Sequence, residues 1–354
     1  MRVTPPRSGI PALQRLWNGD SGFAPSLLAV ATAPLAVLYG SAVRVRNLAY
    51  DRGFLRSRLG PIPVISIGNL AVGGTGKTPV SAWLVRELAD RGHRPALVTR
   101  GYGEDEVKLH RRWNPDVPVV RARDRLSGVD ESARDGRDLA VLDDGFQHRA
   151  LRRALDIVLL SPAHPLPPRL LPRGPFREPL RALRRADRIL VTAKGGSEMK
   201  DALRLVDSLR RTPGLPRVDL LPLEFGPWET LDAHPASAPD GPPLIVSSIA
   251  QPAGFVRAVR SRTDRAAAAW IFADHHDYTR EEVTRIAARA GQSGEGGWIA
   301  TTEKDAVKLA AFRELLPEVR VLPLIVTPES GFLDALLSDM ATRNPPGDSL
   351  EART

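Results

Sequence analysis

The sequence predicts an α/β protein built as two unequal sandwiches behind an apolar helix, and three observations carry that prediction. An apolar stretch at 63–67 runs into a glycine-rich loop and then into a helical pattern. Further apolar segments of strand length alternate with helical ones as far as about residue 220, the pattern of a doubly wound, mostly parallel sheet. After an interval rich in Pro, Gly, Ala and Ser, a second and shorter strand–helix series begins.

Composition narrows the classes. A chain of 354 residues suits two domains that each bury a core. With 42% hydrophobic and 26% charged residues it is globular rather than disordered. The absence of cysteine excludes a disulfide scaffold, thiolate zinc, an iron–sulfur centre and a cysteine nucleophile. A net charge of +9 favours anionic partners. Aromatics at 5% are too sparse to interleave with the charges as a single-stranded nucleic-acid groove requires, so nucleic acid is not expected.

Residues 21–43 carry no charge and, as a helix, would extend about 35 Å at roughly 1.5 Å per residue. That suffices to enter or cross a bilayer core of about 30 Å. Pro25 and Pro34 interrupt the run, and Ala and Ser dilute it. Arg44, Arg46, Arg52, Arg56 and Arg58 follow, opposed by Asp51, and such a flank favours the cytoplasmic side and anionic head groups. Region 1–60 is therefore expected to attach to a membrane, with a buried core helix and a cleaved signal peptide as the alternatives.

Pro63–Ile67 has the character of a buried strand, Gly68–Thr78 is the loop, and Val80–Leu88 is helical in pattern. A strand, a loop ending Gly-Lys-Thr and a helix form the context of a P-loop, which makes the first unit a P-loop NTPase-like α/β/α sandwich. Residues Ala71, Val72, Gly73, Gly74, Thr75, Gly76, Lys77 and Thr78 are expected to hold ATP. Backbone N–H groups and the helix N-terminus face the phosphates, Lys77 reaches the terminal ones, and Thr78 ligates Mg²⁺. Ala71 stands where a glycine is usual.

Asp138–Leu142 is an apolar strand ending in Asp143-Asp144. Carboxylates at the carboxyl end of such a strand face the crevice where α/β sheets bind ligands and are placed to hold Mg²⁺. A surface turn is the structural alternative. The expected partition is a nucleotide-binding domain at 61–220, a linker at 221–243, a second, smaller α/β domain at 244–340 and a tail at 341–354.

The motifs resemble those of the tetraacyldisaccharide 4'-kinase family of lipid A synthesis. The resemblance rests on the 68–79 loop, Arg100-Gly101-Tyr102-Gly103, Asp143–His148, Leu171–Pro179, Asp274-His275-His276 and Thr302–Ala306, in the family's order over roughly residues 25 to 330. It implies two α/β/α domains joined by a short β linker. It also implies attachment to the cytoplasmic face of the inner membrane and MgATP-dependent phosphorylation of a lipid disaccharide phosphate at its 4'-hydroxyl. The catalytic residues it implies are Lys77, Asp105 as base and His275 as its partner, with His276 as the other candidate imidazole. Glu178 would join Thr78, Asp143 and Asp144 at the metal. Arg100, Tyr102, Arg125, Gln147, His148, Arg173 and Arg177 are candidates to grip phosphate or sugar, since a guanidinium offers phosphate two hydrogen bonds at once.

The sequence departs from the family pattern at Glu104-Asp105-Glu106, where Glu104 replaces a glycine and the preceding spacer is short. An exposed acidic turn is the alternative there. The competing function is a GTPase or partitioning-type ATPase switch. Its guanine-reading tetrad has only Thr192-Ala193-Lys194-Gly195 as a counterpart, without the Asp.

Overall fold

A computed structural model describes residues 16–17, 23–101, 104–164, 166–263, 267–292 and 297–343. The first long element is helix α1 (Phe23–Asp51), with Pro34 inside it. One face is held against the protein through Thr32 and Val43, and Gly40 lets the Leu170 side chain approach so closely that a Cβ there would lie 2.9 Å from it. Leu27, Val30, Leu35, Val37, Leu38, Val45 and Leu48 are exposed.

The chain then alternates. Strand β1 (Val64–Asn69) leads to α2 (Lys77–Asp90), β2 (Pro95–Thr99), α3 (Glu104–Trp113), β3 (Val119–Arg121), α4 (Arg125–Arg134) and β4 (Leu139–Asp143). Next come β5 (Leu155–Leu160), a 3₁₀ turn at Leu180–Arg185, β6 (Arg188–Lys194), α5 (Gly196–Arg210) and β7 (Arg217–Phe225). The second series is β8 (Pro243–Ser247), α6 (Pro252–Thr263), β9 (Ala268–Ile271), α7 (Arg280–Gly291), β10 (Trp298–Thr301), α8 (Glu303–Leu309) and β11 (Val319–Val321). Strand β12 (Leu324–Val326) and helix α9 (Phe332–Arg343) complete the described chain.

Eight strands form the large sheet in the order β12-β7-β6-β5-β1-β4-β2-β3. All its pairings are parallel except that of β12 with β7. Both faces are covered, which is why its inner strands are continuous apolar runs rather than alternating ones. Val80, Leu84 and Leu88 of α2 pack with Ile65, Ile67 and Leu190 on one face, joined by Leu333 and Leu336 of α9. Val206 and Leu209 of α5 pack with Val158, Ile189 and Val191 on the other. Truncating a fully buried side chain here, such as Leu84, costs about 2–5 kcal/mol.

The small sheet, in the order β11-β10-β8-β9, is wholly parallel. Ile286 of α7 covers one face with Val246 and Ile299, and Phe255 of α6 covers the other with Ile245 and Trp298.

The chain divides differently from the expected partition. Strand β7 continues to Phe225 as a full member of the large sheet, so the connection starts later than residue 221. After Val321 the polypeptide returns: β12 pairs with β7, and Arg188 of β6 binds Asp219 and Asp339 of α9. Only residues up to Val321 belong to the small sheet, not the whole of 244–340. Three-residue strands on either side of Leu322-Pro323 carry too short a pattern to show this in sequence.

Candidate active site

Strand β1 lies between β4 and β5, where the sheet order reverses, and the crevice at the carboxyl ends of these strands holds the site. It opens into a cleft of about 1060 Å³ lined by both domains. After Asn69 the backbone turns through Gly73, Gly74 and Gly76, all at positive φ. Asn69 Nδ2 donates to Thr75 Oγ1 at 2.7 Å and ties the loop to its strand. Gly76 caps α2 with φ +83°, so Lys77 and Thr78 begin the helix, and its N-terminal end, the end that favours anions, lines the cleft.

Val72 to Thr78 line this cleft. Ala71 does not: it is buried, bridges to Phe176 and packs in the core behind the loop, which corrects its assignment among the nucleotide-contacting residues. A glycine is unnecessary there because the sharp turning happens two residues later.

Lys77 Nζ lies 3.7 Å from Asp144 Oδ1. Loss of solvent pulls the Lys77 ammonium below its usual range. Burial pushes Asp144 up, but Lys77 and Arg177 outweigh it and hold the carboxyl below the usual range. Arg177 donates to both Asp144 oxygens, at 2.9 and 2.7 Å, and to Gln147 Oε1 at 3.1 Å. Asp143, in the same cleft, is held by α3: its Oδ2 lies 3.1 Å from His110 Nε2, while its Oδ1 is buried without a hydrogen-bond partner.

The acidic triplet is the first turn of α3, with Glu104 exposed and Asp105 and Glu106 half-buried. Asp105 Oδ2 lies 3.2 Å from Nδ1 of His275, which belongs to the small domain. Lys304 Nζ lies 3.3 Å from His275 Nε2, and Lys308 Nζ lies 3.3 Å from Asp105 Oδ2. The hydrogen bond from His275 does most to hold the Asp105 carboxyl well below the usual range, burial opposes it, and Lys308 adds to the lowering. His276 turns away to Glu282 at 3.0 Å and stacks on Phe272. His275 has φ +59°, and its N–H donates to Ser248 O at 3.1 Å. Ser248 and Tyr278 both donate to the buried carboxylate of Asp305, which pins this loop.

Glu178 is not placed as a metal ligand. It is fully buried, its oxygens accept from Arg185 at 2.7 and 2.8 Å and from Asn47 of α1 at 2.7 Å, and it does not line the cleft. Burial pushes its carboxyl up, but Arg185, Asn47 and Arg46 together hold it low.

Of the residues expected to grip substrate, Arg100, Arg125 and Arg177 line the cleft. Arg125 is buried and donates to Ala122 O and Asp143 O, bracing the end of β4. Gln147 and His148 stand outside the cleft: Gln147 Nε2 donates to Asn69 O at 2.8 Å, and His148 lies 3.8 Å from Asp124. Arg173 is exposed and also outside it. Tyr102 lies outside the described residues.

Sequence reasoning missed four contributors. His110 sits one helical turn beyond Asp105 and Glu106 and is the buried partner of Asp143. Lys308 follows Lys304 by four residues, so both occupy one face of α8. Lys194, at the end of β6, donates to Gly74 O and Gln251 Oε1. Gln251 of the small domain covers the loop so closely that a Cβ on Gly74 would come within 2.5 Å of it. Only the strand-end position of Lys194 and the helical spacing of Lys304 and Lys308 were visible signals.

A lysine-tipped glycine loop, a carboxylate pair at the neighbouring strand end and a second domain closing over both define a P-loop nucleotide-binding α/β protein with a phosphotransfer site. A model of the family described as tetraacyldisaccharide-1-P 4'-kinase matches residues 28–341. The tetraacyldisaccharide 4'-kinase of Anaeromyxobacter dehalogenans is 38% identical, over 83% of this chain and 86% of its own length. That of Halorhodospira halophila is 35% identical, over 90% and 94%. The crystal structure of "apo" form LpxK from Aquifex aeolicus in complex with ATP superposes with a TM-score of 0.68 at 29% identity, covering 88% of this chain and 99% of that one. The chain belongs to the tetraacyldisaccharide-1-phosphate 4'-kinase family, and so to the kinases of lipid A synthesis rather than to the nucleotide-driven switches.

Proposed function

We propose that ATP seated on the Gly73–Thr78 turn donates its γ-phosphoryl group to the 4'-hydroxyl of a tetraacyldisaccharide 1-phosphate held beside Asp105. The observation that carries this reading is the 3.2 Å pair of Asp105 and His275, contributed by different domains to the cleft that contains the P-loop.

The chemistry follows from donors and acceptors. The Lys304 ammonium can only donate, so His275 Nε2 is the acceptor and Nδ1 carries the hydrogen given to Asp105. Asp105 thus remains ionised and oriented. Its low basicity is compatible with a loose phosphoryl-transfer transition state, in which the attacking hydroxyl becomes acidic as its bond to phosphorus forms. The O4'–H proton passes to Asp105, the oxygen bonds to the γ-phosphorus, and the bond to the ADP oxygen breaks. Lys77 lies where the terminal phosphates would meet a cation. The residues suit Mg²⁺: Thr78, Asp143 and Asp144 line the cleft with hard oxygen donors, and the buried Asp143 Oδ1 lacks a partner. When bound, Mg²⁺ would neutralise charge on the β- and γ-phosphates.

The acceptor is a lipid, and the chain carries matching membrane features. Within its Leu27–Asp51 part, helix α1 holds an 18-residue window of mean hydropathy 1.5 that is little buried. Just beyond it Phe54, Leu55 and Leu59 are exposed alongside the exposed Arg52, Arg56 and Arg58. Apolar side chains for the interface and guanidinium groups for anionic head groups support attachment at the cytoplasmic face of the inner membrane. Purified protein with MgATP and the acceptor in mixed micelles should convert it to the 1,4'-bisphosphate. Release of inorganic phosphate from nucleotide, with the lipid unchanged, would contradict the reading.

A further inference from the structure

Helix α8 presents two ammonium groups one turn apart, and each engages a different member of the Asp105–His275 pair. Lys304 faces His275 Nε2, and Lys308 faces Asp105 Oδ2. Lys308 is not a loose surface charge: its side chain is 10% exposed, and Nζ also donates to the His276 carbonyl at 3.0 Å. That second bond anchors the ammonium to the backbone segment that carries His275. His275 and Lys308 both approach Oδ2, so neither takes Oδ1, and the carboxylate is oriented from two sides by the small domain.

We propose that Lys308 is a positioning residue for phosphoryl transfer: it crosses the domain boundary to hold the Asp105 carboxylate charged and turned so that Oδ1 meets the acceptor hydroxyl. The inference rests on Asp105 being the proton acceptor. Without Lys308 the single contact from His275 would leave the carboxylate free to rotate about χ2, and a misaligned base loses rate rather than binding. The groups facing Asp105 from the small domain are His275, Lys304 and Lys308, with Glu106 beside it on α3. Lys308 is thus the cation in contact with the carboxylate itself.

The test is a double-mutant cycle on the full chain, with micellar lipid acceptor and MgATP. Lys308→Met keeps the stem and removes the charge. It should lower kcat at least 10-fold, leave KM for ATP within about twofold and leave the thermal midpoint close to wild type. Lys308→Arg should restore most of the loss. In an Asp105→Asn background, where no carboxylate remains to orient, Lys308→Met should cost less than twofold. A wild-type kcat for Lys308→Met, a loss confined to KM, or full additivity with Asp105→Asn would overturn the proposal. Unimpaired turnover by Asp105→Asn itself would instead remove the base assignment on which it rests.

Discussion

Asn47 of the apolar helix α1 donates to Glu178 Oε2 at 2.7 Å, so that helix is bonded to the segment that flanks the P-loop. The same segment is continuous with the site. Arg177 N donates to Leu70 O, Val72 N donates to Pro175 O, and the Arg177 side chain grips Asp144. Tyr39 adds a bond from the helix to Arg177 O. The apolar helix and the nucleotide loop are therefore tied together by one strap of chain.

Glu178→Ala should act on stability, not on metal binding. Removing the carboxylate leaves Arg185 without its buried partner, and breaking such a pair costs about 3–5 kcal/mol. The thermal midpoint should fall clearly, while the Mg²⁺ concentration for half-maximal activity stays as in wild type. A shifted Mg²⁺ requirement with an unchanged midpoint would return Glu178 to the metal site.

Lys77→Ala should lower lipid phosphorylation by about 10²–10³, the usual cost of losing one preorganised charge at the transition state. Rate measurements at saturating ATP read this directly. Turnover near wild type would take the P-loop lysine out of the mechanism.

His110→Ala should weaken Mg²⁺ use. Its imidazole is the partner of Asp143 Oδ2, the carboxylate proposed to hold Mg²⁺, and losing an outer partner of a metal ligand typically costs 10–100-fold in metal affinity. Mn²⁺ binding by paramagnetic relaxation, with nucleotide present, gives the affinity without relying on turnover. Equal binding by variant and wild type would make the pair purely structural.

Lys194 gives a pH-dependent prediction. Loss of solvent lowers its ammonium to about 8, against roughly 10.4 in an unfolded chain. Between those values the unfolded state binds a proton that the folded state does not, so stability rises with pH across that window. Urea midpoints of wild type, compared with Lys194→Met from pH 7 to 10, should diverge in favour of wild type as pH increases. Parallel curves would mean that the ammonium keeps its ordinary titration.

Much of this architecture was legible because local chemistry determined it. Gly73, Gly74, Gly76, Lys77 and Thr78 announce a phosphate cradle, and the apolar run before Asp143 announces a strand end at the crevice. Residues whose roles depend on distant partners were not legible. Nothing near Glu178 tells that Arg185 and Asn47 will occupy both its oxygens. His110 and Lys308 lie on helices with ordinary patterns: the seating of α3 beside the end of β4 brings His110 to Asp143, and the packing of α3 against α8 brings Lys308 to Asp105. The return of β12 to the large sheet is not legible in sequence because Leu324–Val326 offers three residues of pattern.

Direct transfer within one cleft is the core of the mechanism, and the stereochemistry at phosphorus tests it most directly. ATP made chiral at the γ-phosphorus with oxygen isotopes and sulfur should yield a lipid 4'-thiophosphate of inverted configuration, as a single in-line displacement by the sugar hydroxyl requires. Retention of configuration, or label recovered only in free thiophosphate, would show that Asp105 and the P-loop do not bring the two reactants together.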